Sequence, residues 1–290
     1  IKDEGYLTTR LTEEAVAFIQ RKKANPFFVY LAYNAVHSPA QAPAEDIARY
    51  RKQFPGITEA RAILMAMLYH LDLGVGRVVD TLKKEGVWEN TLLFFLTDNG
   101  GSKSMSAVNT PLRGFKQQNY EGGIRTPFIV SWPAGFKGGR TIATPVTSLD
   151  ILPTALEAAG VKADRPLDGR SLLPLLTGKT QRHIDTFYWS EGGAAGGFAV
   201  RAGDWKLVQQ RTLPKVELFN LAADPAETTD LAAQNLAKVA ELTKLYDAWL
   251  DQMAEPLSGA PKRPGAERSG AAKKSKAEKQ KAREEARGKK

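Results

Sequence analysis

With 290 residues, 42% of them hydrophobic, the chain can supply the core of one large domain or two ordinary ones. It contains no cysteine, which excludes a disulfide framework, a thiolate metal site and a cysteine nucleophile within these residues. The formal net charge of +9 suggests a nucleic-acid partner only until it is divided: of 41 basic and 32 acidic residues, 12 and 4 lie in 256–290, leaving 29 against 28 in 1–255. No nucleic acid is therefore expected as a partner of the folded part.

The sequence opens at Ile1 with no initiator Met and no charged-then-apolar signal region, which reads as a fragment missing its beginning. "TEEAVAFIQRKK" has apolar residues at 15, 16, 18 and 19 between charged ends, the pattern of an amphipathic helix. "PFFVYLAYN", bounded by Pro26 and Asn34, reads as a buried strand. A loop with Pro39 and Pro43 leads to a long helical pattern from about Glu59 to Lys84, with Gly74 and Gly76 inside it. Each glycine costs roughly 1 kcal/mol against Ala, so a close helix–sheet contact is expected there. "TLLFFLT" and "TPFIVSW" are the next strands, "SLDILPTALEAAGV" a helix, and "LDGRSLLPLLTG" a loop with a short helical turn. The apolar runs "NPFFVYLAYNAV" and "NTLLFFLTDNG" break after about eight residues, well short of the roughly 20 a bilayer span requires, so no membrane span is expected.

Near-continuous apolar strands separated by helices predict an α/β fold with a mostly parallel sheet sandwiched between helices over residues 1–180. From about His183 the texture changes. "TFYWSEG", "GFAVRAG", "DWKLVQQ" and "KVELFNL" are short aromatic and β-branched runs, followed by a helix from about Leu231 to Met253. They predict a small antiparallel sheet plus helix over 181–255. The remaining 256–290, "SGAAKKSKAEKQKAREEARGKK" at its end, is too poor in apolar residues to fold. It is expected to be a solvated basic tail, with a tether for a polyanion as the alternative.

In α/β folds ligands sit outside the carboxyl ends of the strands, and three stretches fall there. Asp98-Asn99-Gly100 closes "TLLFFLT"; alone it is an ordinary turn, but a carboxylate and an amide carbonyl can also face one hard cation such as Ca²⁺. His37 in "YNAVHSP" follows the first strand, and Lys116 lies in the glycine-punctuated "LRGFKQQNYEGGIRTPFIVSWP". Alone, His37 reads as structural and Lys116 as solvated; on one rim they combine proton transfer with anion binding. His70 and His183 read as structural. The glycine-rich "SEGGAAGGF", 190–198, is either a flexible hairpin or part of a cleft rim.

In chain order, "PFFVYLAYNAVHSP", "GRVVDTLKKEGVWENTLLFFLTDNGG", "LRGFKQQNYEGGIRTPFIVSWPAG", "TSLDILPTALEAAGV" and "LDGRSLLPLLTG" resemble the later half of the type I, formylglycine-dependent sulfatases of the alkaline phosphatase superfamily. "AVRAGDWKLV", "VELFNLAADPAETTDLA" and the last helix resemble their carboxyl-terminal subdomain, so the likeness spans about residues 5 to 253. The resemblance implies that Asp98 and Asn99 bind Ca²⁺. It implies that Lys116, five residues before Glu121 of "EGG", contacts the sulfate, and that His37 touches it and protonates the leaving alcohol. Val36 stands where Pro is frequent before that histidine.

The nucleophile motif, Cys/Ser-x-Pro/Ala-Ser-Arg, is missing: Ser38, Ser131 and Ser258 lie in other settings, and formylglycine is expected upstream together with the remaining calcium ligands. The implied activity is hydrolysis of a sulfate ester, a sulfated small molecule or polysaccharide, with export to the periplasm or cell exterior. The chain alone is expected to be inactive. Two other readings stay open: a phosphonate or phosphate ester hydrolase of the same superfamily, and a non-catalytic polyanion-binding remnant.

Overall fold

A computed structural model describes residues 4–191, 196–213 and 215–254. The basic tail and the centre of the 190–198 stretch lie outside the described residues. The amino-terminal part is a helical layer. Helix α1 (Leu7–Lys22) buries Thr8, Thr12, Ala15 and Ile19 on one face and ends in Arg21 and Lys22, charges that suit the negative end of its dipole. Helices α2 (Ala44–Gln53) and α1 both pack on α3 (Glu59–Lys84). Thr58 starts α3 by accepting the Arg61 N–H at 3.3 Å. The expectation that no segment has the length and composition of a bilayer span does not hold for α3, which has both. Its Ala62, Leu64, Ala66, Met67 and Leu82 are buried, while Leu68 and Leu73 are exposed.

The two glycines of α3 differ. A Cβ on Gly74 would lie 2.5 Å from Thr12 Oγ1 and 2.7 Å from Tyr33 Oη, whereas one on Gly76 meets nothing within 4 Å. The close approach expected at both is thus made at Gly74 alone, against α1 and the segment that follows it. The histidines expected to be structural have carboxylate neighbours: His70 Nε2 is 2.7 Å from Asp46 Oδ2, and His183 Nε2 is 2.9 Å from Asp150 Oδ2.

The strand-like segments depart from expectation. β1 (Leu93–Leu96) and β2 (Phe128–Ser131) pair antiparallel, Leu93 opposite Ser131 and Leu96 opposite Phe128, rather than as members of a mostly parallel sheet. Residues 27–34 join no ladder among the described residues. Their exposure alternates: Phe27, Leu31 and Tyr33 are half-buried, Phe27 beside Phe18 and Tyr33 beside Thr12 of α1, while Phe28 and Tyr30 are 80% and 84% exposed. The period of two is that of a strand; the burial expected for it is absent because one face has nothing packed on it.

After the helical turn α4 (Glu121–Ile124), helix α5 (Ile151–Ala158) and the turn α6 (Leu173–Leu176) come four strands, β3 (Thr186–Ser190), β4 (Phe198–Ala202), β5 (Trp205–Gln209) and β6 (Val216–Asn220). They form an antiparallel meander in chain order, as expected. Helix α7 (Leu236–Leu250) covers one face, where Phe198, Val200, Leu207 and Leu218 pack with Leu242 and Tyr246. The Phe198 and Tyr246 rings stack at 4.2 Å and Tyr188 with Trp249 at 5.0 Å. The expected sheet-on-helix arrangement is half of the picture. Alternate residues Ala199, Val208 and Phe219 point to the other face and pack with Tyr120, so the sheet shares its second core with the loop before α4.

Candidate active site

The loop after β1 is held by main-chain bonds and by the side chain of Asn109. Gly100 N–H donates to the Gly123 carbonyl at 2.8 Å, and the Gly101 carbonyl accepts from Lys116 N–H at 3.1 Å and from Asn109 Nδ2 at 3.0 Å. A Cβ on Gly100 would lie 1.9 Å from Gly122 O, and one on Gly123 would lie 2.0 Å from Gln118 O. These glycines are required by close approach of two main chains, not by a left-handed φ. Asp98 is exposed at this turn. Asn99 Nδ2 donates to Gly100 O at 3.0 Å, which turns Oδ1 away and leaves it as an acceptor.

Lys116 is half-buried on a tight loop between Gly114 (φ +90) and Gln117, itself left-handed at φ +71. A non-glycine residue there costs on the order of 1–3 kcal/mol, so the surroundings must over-determine the loop. They do: Asn109 Nδ2 donates to Gly114 O at 3.0 Å, Phe115 N–H to Gln118 Oε1 at 2.9 Å, and Gly122 N–H to Arg113 O at 2.7 Å.

The geometry therefore joins the Asp98–Asn99 turn to the Lys116 loop directly. His37 stands apart from that hydrogen-bonded unit. It is exposed on the turn after 27–34, its N–H donating to Asn34 O at 2.8 Å. Its Nδ1 lies 2.9 Å from Ser38 O; with Nδ1–H donating there, Nε2 is left for a ligand.

Calcium takes six to eight oxygen ligands. Asp98 and Asn99 offer hard oxygen donors of the right kind, but no group of three or more His, Cys, Asp or Glu suited to a metal occurs among the described residues. The donor chemistry fits part of such a shell.

Sequence reasoning missed the charges behind the loop. Lys206 of β5, fully buried, donates from Nζ to Glu121 Oε1 at 2.8 Å and lies 2.9 Å from Glu227 Oε1. Glu227 Oε2 accepts the Glu121 N–H at 2.6 Å. Burial raises the Glu227 carboxyl above the usual carboxylate range, opposed by Lys206. Arg113 Nη1 reaches Glu217 Oε1 at 3.2 Å and Glu227 O at 3.1 Å, and its guanidinium lies 3.9 Å from the centre of the Tyr120 ring. Tyr120 Oη donates to Glu217 Oε2; burial, then that hydrogen bond, raises the phenol. The available signal was parity: in "DWKLV" Lys206 shares a face with Val208, an apolar position, so a charge there had to be buried.

The family model for sulfatases matches residues 2–161, and a model of the carboxyl-terminal part of N-sulphoglucosamine sulphohydrolases matches 115–255. The chain belongs to the sulfatase family. The uncharacterized sulfatase YdeN of Escherichia coli K12 is 31% identical over 296 residues, covering 88% of this chain and 52% of YdeN. The steryl-sulfatase of Mus musculus is 35% identical, over 64% of this chain and 30% of its own. Among solved structures, Ps i-CgsB superposes with a TM-score of 0.79 at 34% identity, covering 86% of this chain and 56% of the other. It has also been solved in complex with k-i-k-neocarrahexaose. The α/β architecture is thus that of sulfatases with the alkaline phosphatase-like fold, and this chain spans about half or less of those relatives' length.

Proposed function

We propose that this chain is the later part of a sulfuric ester hydrolase, with 1–180 contributing to the catalytic domain and 181–255 forming its carboxyl-terminal subdomain. Lys116 binds a sulfate oxygen and offsets its charge, and Asp98 and Asn99 give oxygen ligands to Ca²⁺. His37, in its imidazolium form, holds on Nε2 the proton that the departing alcohol oxygen takes up. When bound, Ca²⁺ supplies further fixed positive charge toward the sulfate oxygens. The nucleophile, a formylglycine, comes from residues outside these 290, so the chain alone turns over no ester.

The observation that carries this reading is the pair of bonds Gly100 N–H to Gly123 O and Lys116 N–H to Gly101 O, which ties the cation-binding turn to the anion-binding loop. A sulfated carbohydrate is the favoured substrate class, supported by the oligosaccharide held by Ps i-CgsB. Export to the periplasm or cell exterior goes with it, to be checked by fractionation of cells expressing the whole gene product.

The test is a panel of aryl sulfate, sulfated oligosaccharide, aryl phosphate and aryl phosphonate esters given to the gene product that contains this chain. The sulfates are expected to be cleaved at least about 10²-fold faster, and a chelator to suppress the rate. Faster phosphonate or phosphate turnover would instead assign the chain to the other branch of the superfamily. In the same assay His37→Ala is expected to lose about 10² to 10⁴-fold with a good leaving group unaffected; equal losses on good and poor leaving groups would remove His37 as the proton donor.

A further inference from the structure

We propose that the buried cluster of Lys206, Glu121 and Glu227 is a positioning device, through which the carboxyl-terminal sheet sets the placement of Lys116 and the Asp98–Asn99 turn. The inference rests on the sulfatase reading for what those residues do, but not for how they are held. Three ionised groups out of water are a poor source of stability. Desolvation offsets most of the Coulomb gain, and apolar replacements of equal volume are often neutral or stabilising. What such a cluster does supply is one geometry, because Lys206 Nζ stands 2.8 Å from Glu121 Oε1 and 2.9 Å from Glu227 Oε1 while the Glu121 N–H fixes the second Glu227 oxygen.

The partners lead to the site without slack. Lys206, at 0% exposure, bridges Glu121 Oε1 at 2.8 Å and Glu227 Oε1 at 2.9 Å. Arg125 approaches the other Glu121 oxygen only at 3.9 Å, from an exposed position. Glu227, held at φ +56 and also fully buried, receives the Glu121 N–H on its second oxygen. Glu121 opens α4, and the next residues are Gly122, whose N–H bonds Arg113 O, and Gly123, whose carbonyl takes the Gly100 N–H.

Lys116 lies between Arg113 and Glu121, and both ends of that loop are gripped by the carboxyl-terminal part: Arg113 by Glu217 and the Glu227 carbonyl, Asn119 N–H by Gln210 Oε1 at 3.3 Å, Glu121 by Lys206 and Glu227. At Gly122 a Cβ would already sit 2.5 Å from Gly114 O, so a shift at Glu121 passes on to the Lys116 loop and to Gly100 rather than being absorbed. The cluster contacts no reacting atom; its members are positioning residues.

The test compares Glu227→Gln, which keeps shape and removes one charge, with the triple change Lys206→Met, Glu121→Gln and Glu227→Gln, which removes all three, in the whole gene product. Thermal unfolding and circular dichroism establish folding. Two readouts then separate positioning from stability: the inhibition constant of inorganic sulfate, and amide exchange at Gly100 and Lys116. In folded variants the account expects kcat to fall and the sulfate constant to rise by about 10 to 100-fold, with exchange at the two amides faster while that of β3–β6 is unchanged.

Folded variants with kcat, sulfate inhibition and exchange all within about twofold of wild type would overturn it. So would a series in which every loss follows the loss of folded protein, since the cluster would then act on stability alone. A wild-type gene product that neither cleaves sulfate esters nor binds sulfate is a failure of the sulfatase reading; the exchange measurement still decides this one.

Discussion

The two β layers of this chain are closed to different degrees. In the meander β3–β6, Phe198, Val200, Leu207 and Leu218 on one face and Ala199, Val208 and Phe219 on the other are 0–1% exposed. In the β1–β2 pair, and in residues 27–34, which join no ladder, no residue is fully buried, and Phe28 and Tyr30 stand in the open. The candidate chemistry hangs from the open layer: His37 follows 27–34, Asp98 and Asn99 follow β1, and Lys116 precedes β2. The long-range side-chain bonds that reach the Lys116 loop come from the carboxyl-terminal part that holds the closed one. The candidate groups sit where burial is incomplete, and the loops of Asn99 and Lys116, though not His37, are joined by main-chain bonds that lead back to the buried charges.

The comparison can be broken most decisively in the meander. Phe198→Ala removes a ring stacked on Tyr246 between sheet and α7 and is expected to cost about 3–5 kcal/mol by denaturant unfolding. Phe28→Ala in the open layer is expected to stay within about 0.5 kcal/mol. Equal losses would mean that 27–34 is packed after all.

Next is the seam between the two layers. Gly100→Ala drives a methyl group to 1.9 Å from Gly122 O, a main-chain atom with no rotamer to escape into. A loss of at least about 2 kcal/mol is expected, together with loss of sulfate inhibition. The smallest effects discriminate the helical layer. Gly74→Ala, confronting Thr12 and Tyr33, is expected to destabilise by about 1–3 kcal/mol. Gly76→Ala, facing open space two residues on, is expected to stabilise by about 0.5–1 kcal/mol through helix propensity.

The difference between the layers also explains what the sequence disclosed. Helix α3 and the four strands of the meander were legible because local periodicity and turns determine them: "EARAILMAMLYHLDLGVGRVVDTLKK" folds as one helix, and each aromatic run between polar turns became one strand. The Asp98–Asn99 turn and Lys116 were singled out from motif order, and main-chain bonds join their loops, while His37 lies outside that bonded unit. Residues 27–34 misled because an apolar run with period two says which residues alternate, not whether anything covers the outer face. The second face of the meander was missed because its partner, the 113–121 loop, lies far earlier in the chain, with Glu121 85 residues before Lys206. No local pattern announces such a contact, although a lysine at an apolar parity was a signal.

The most direct test of the central claim, that the Lys116 loop is the sulfate-binding half of an active site tied to the Asp98–Asn99 turn, is aryl sulfate hydrolysis by the gene product and its Lys116→Ala variant, with folding confirmed for both. The account predicts at least about a 10²-fold loss of kcat/KM and a matching weakening of sulfate inhibition. Near-normal turnover by the folded variant would contradict it.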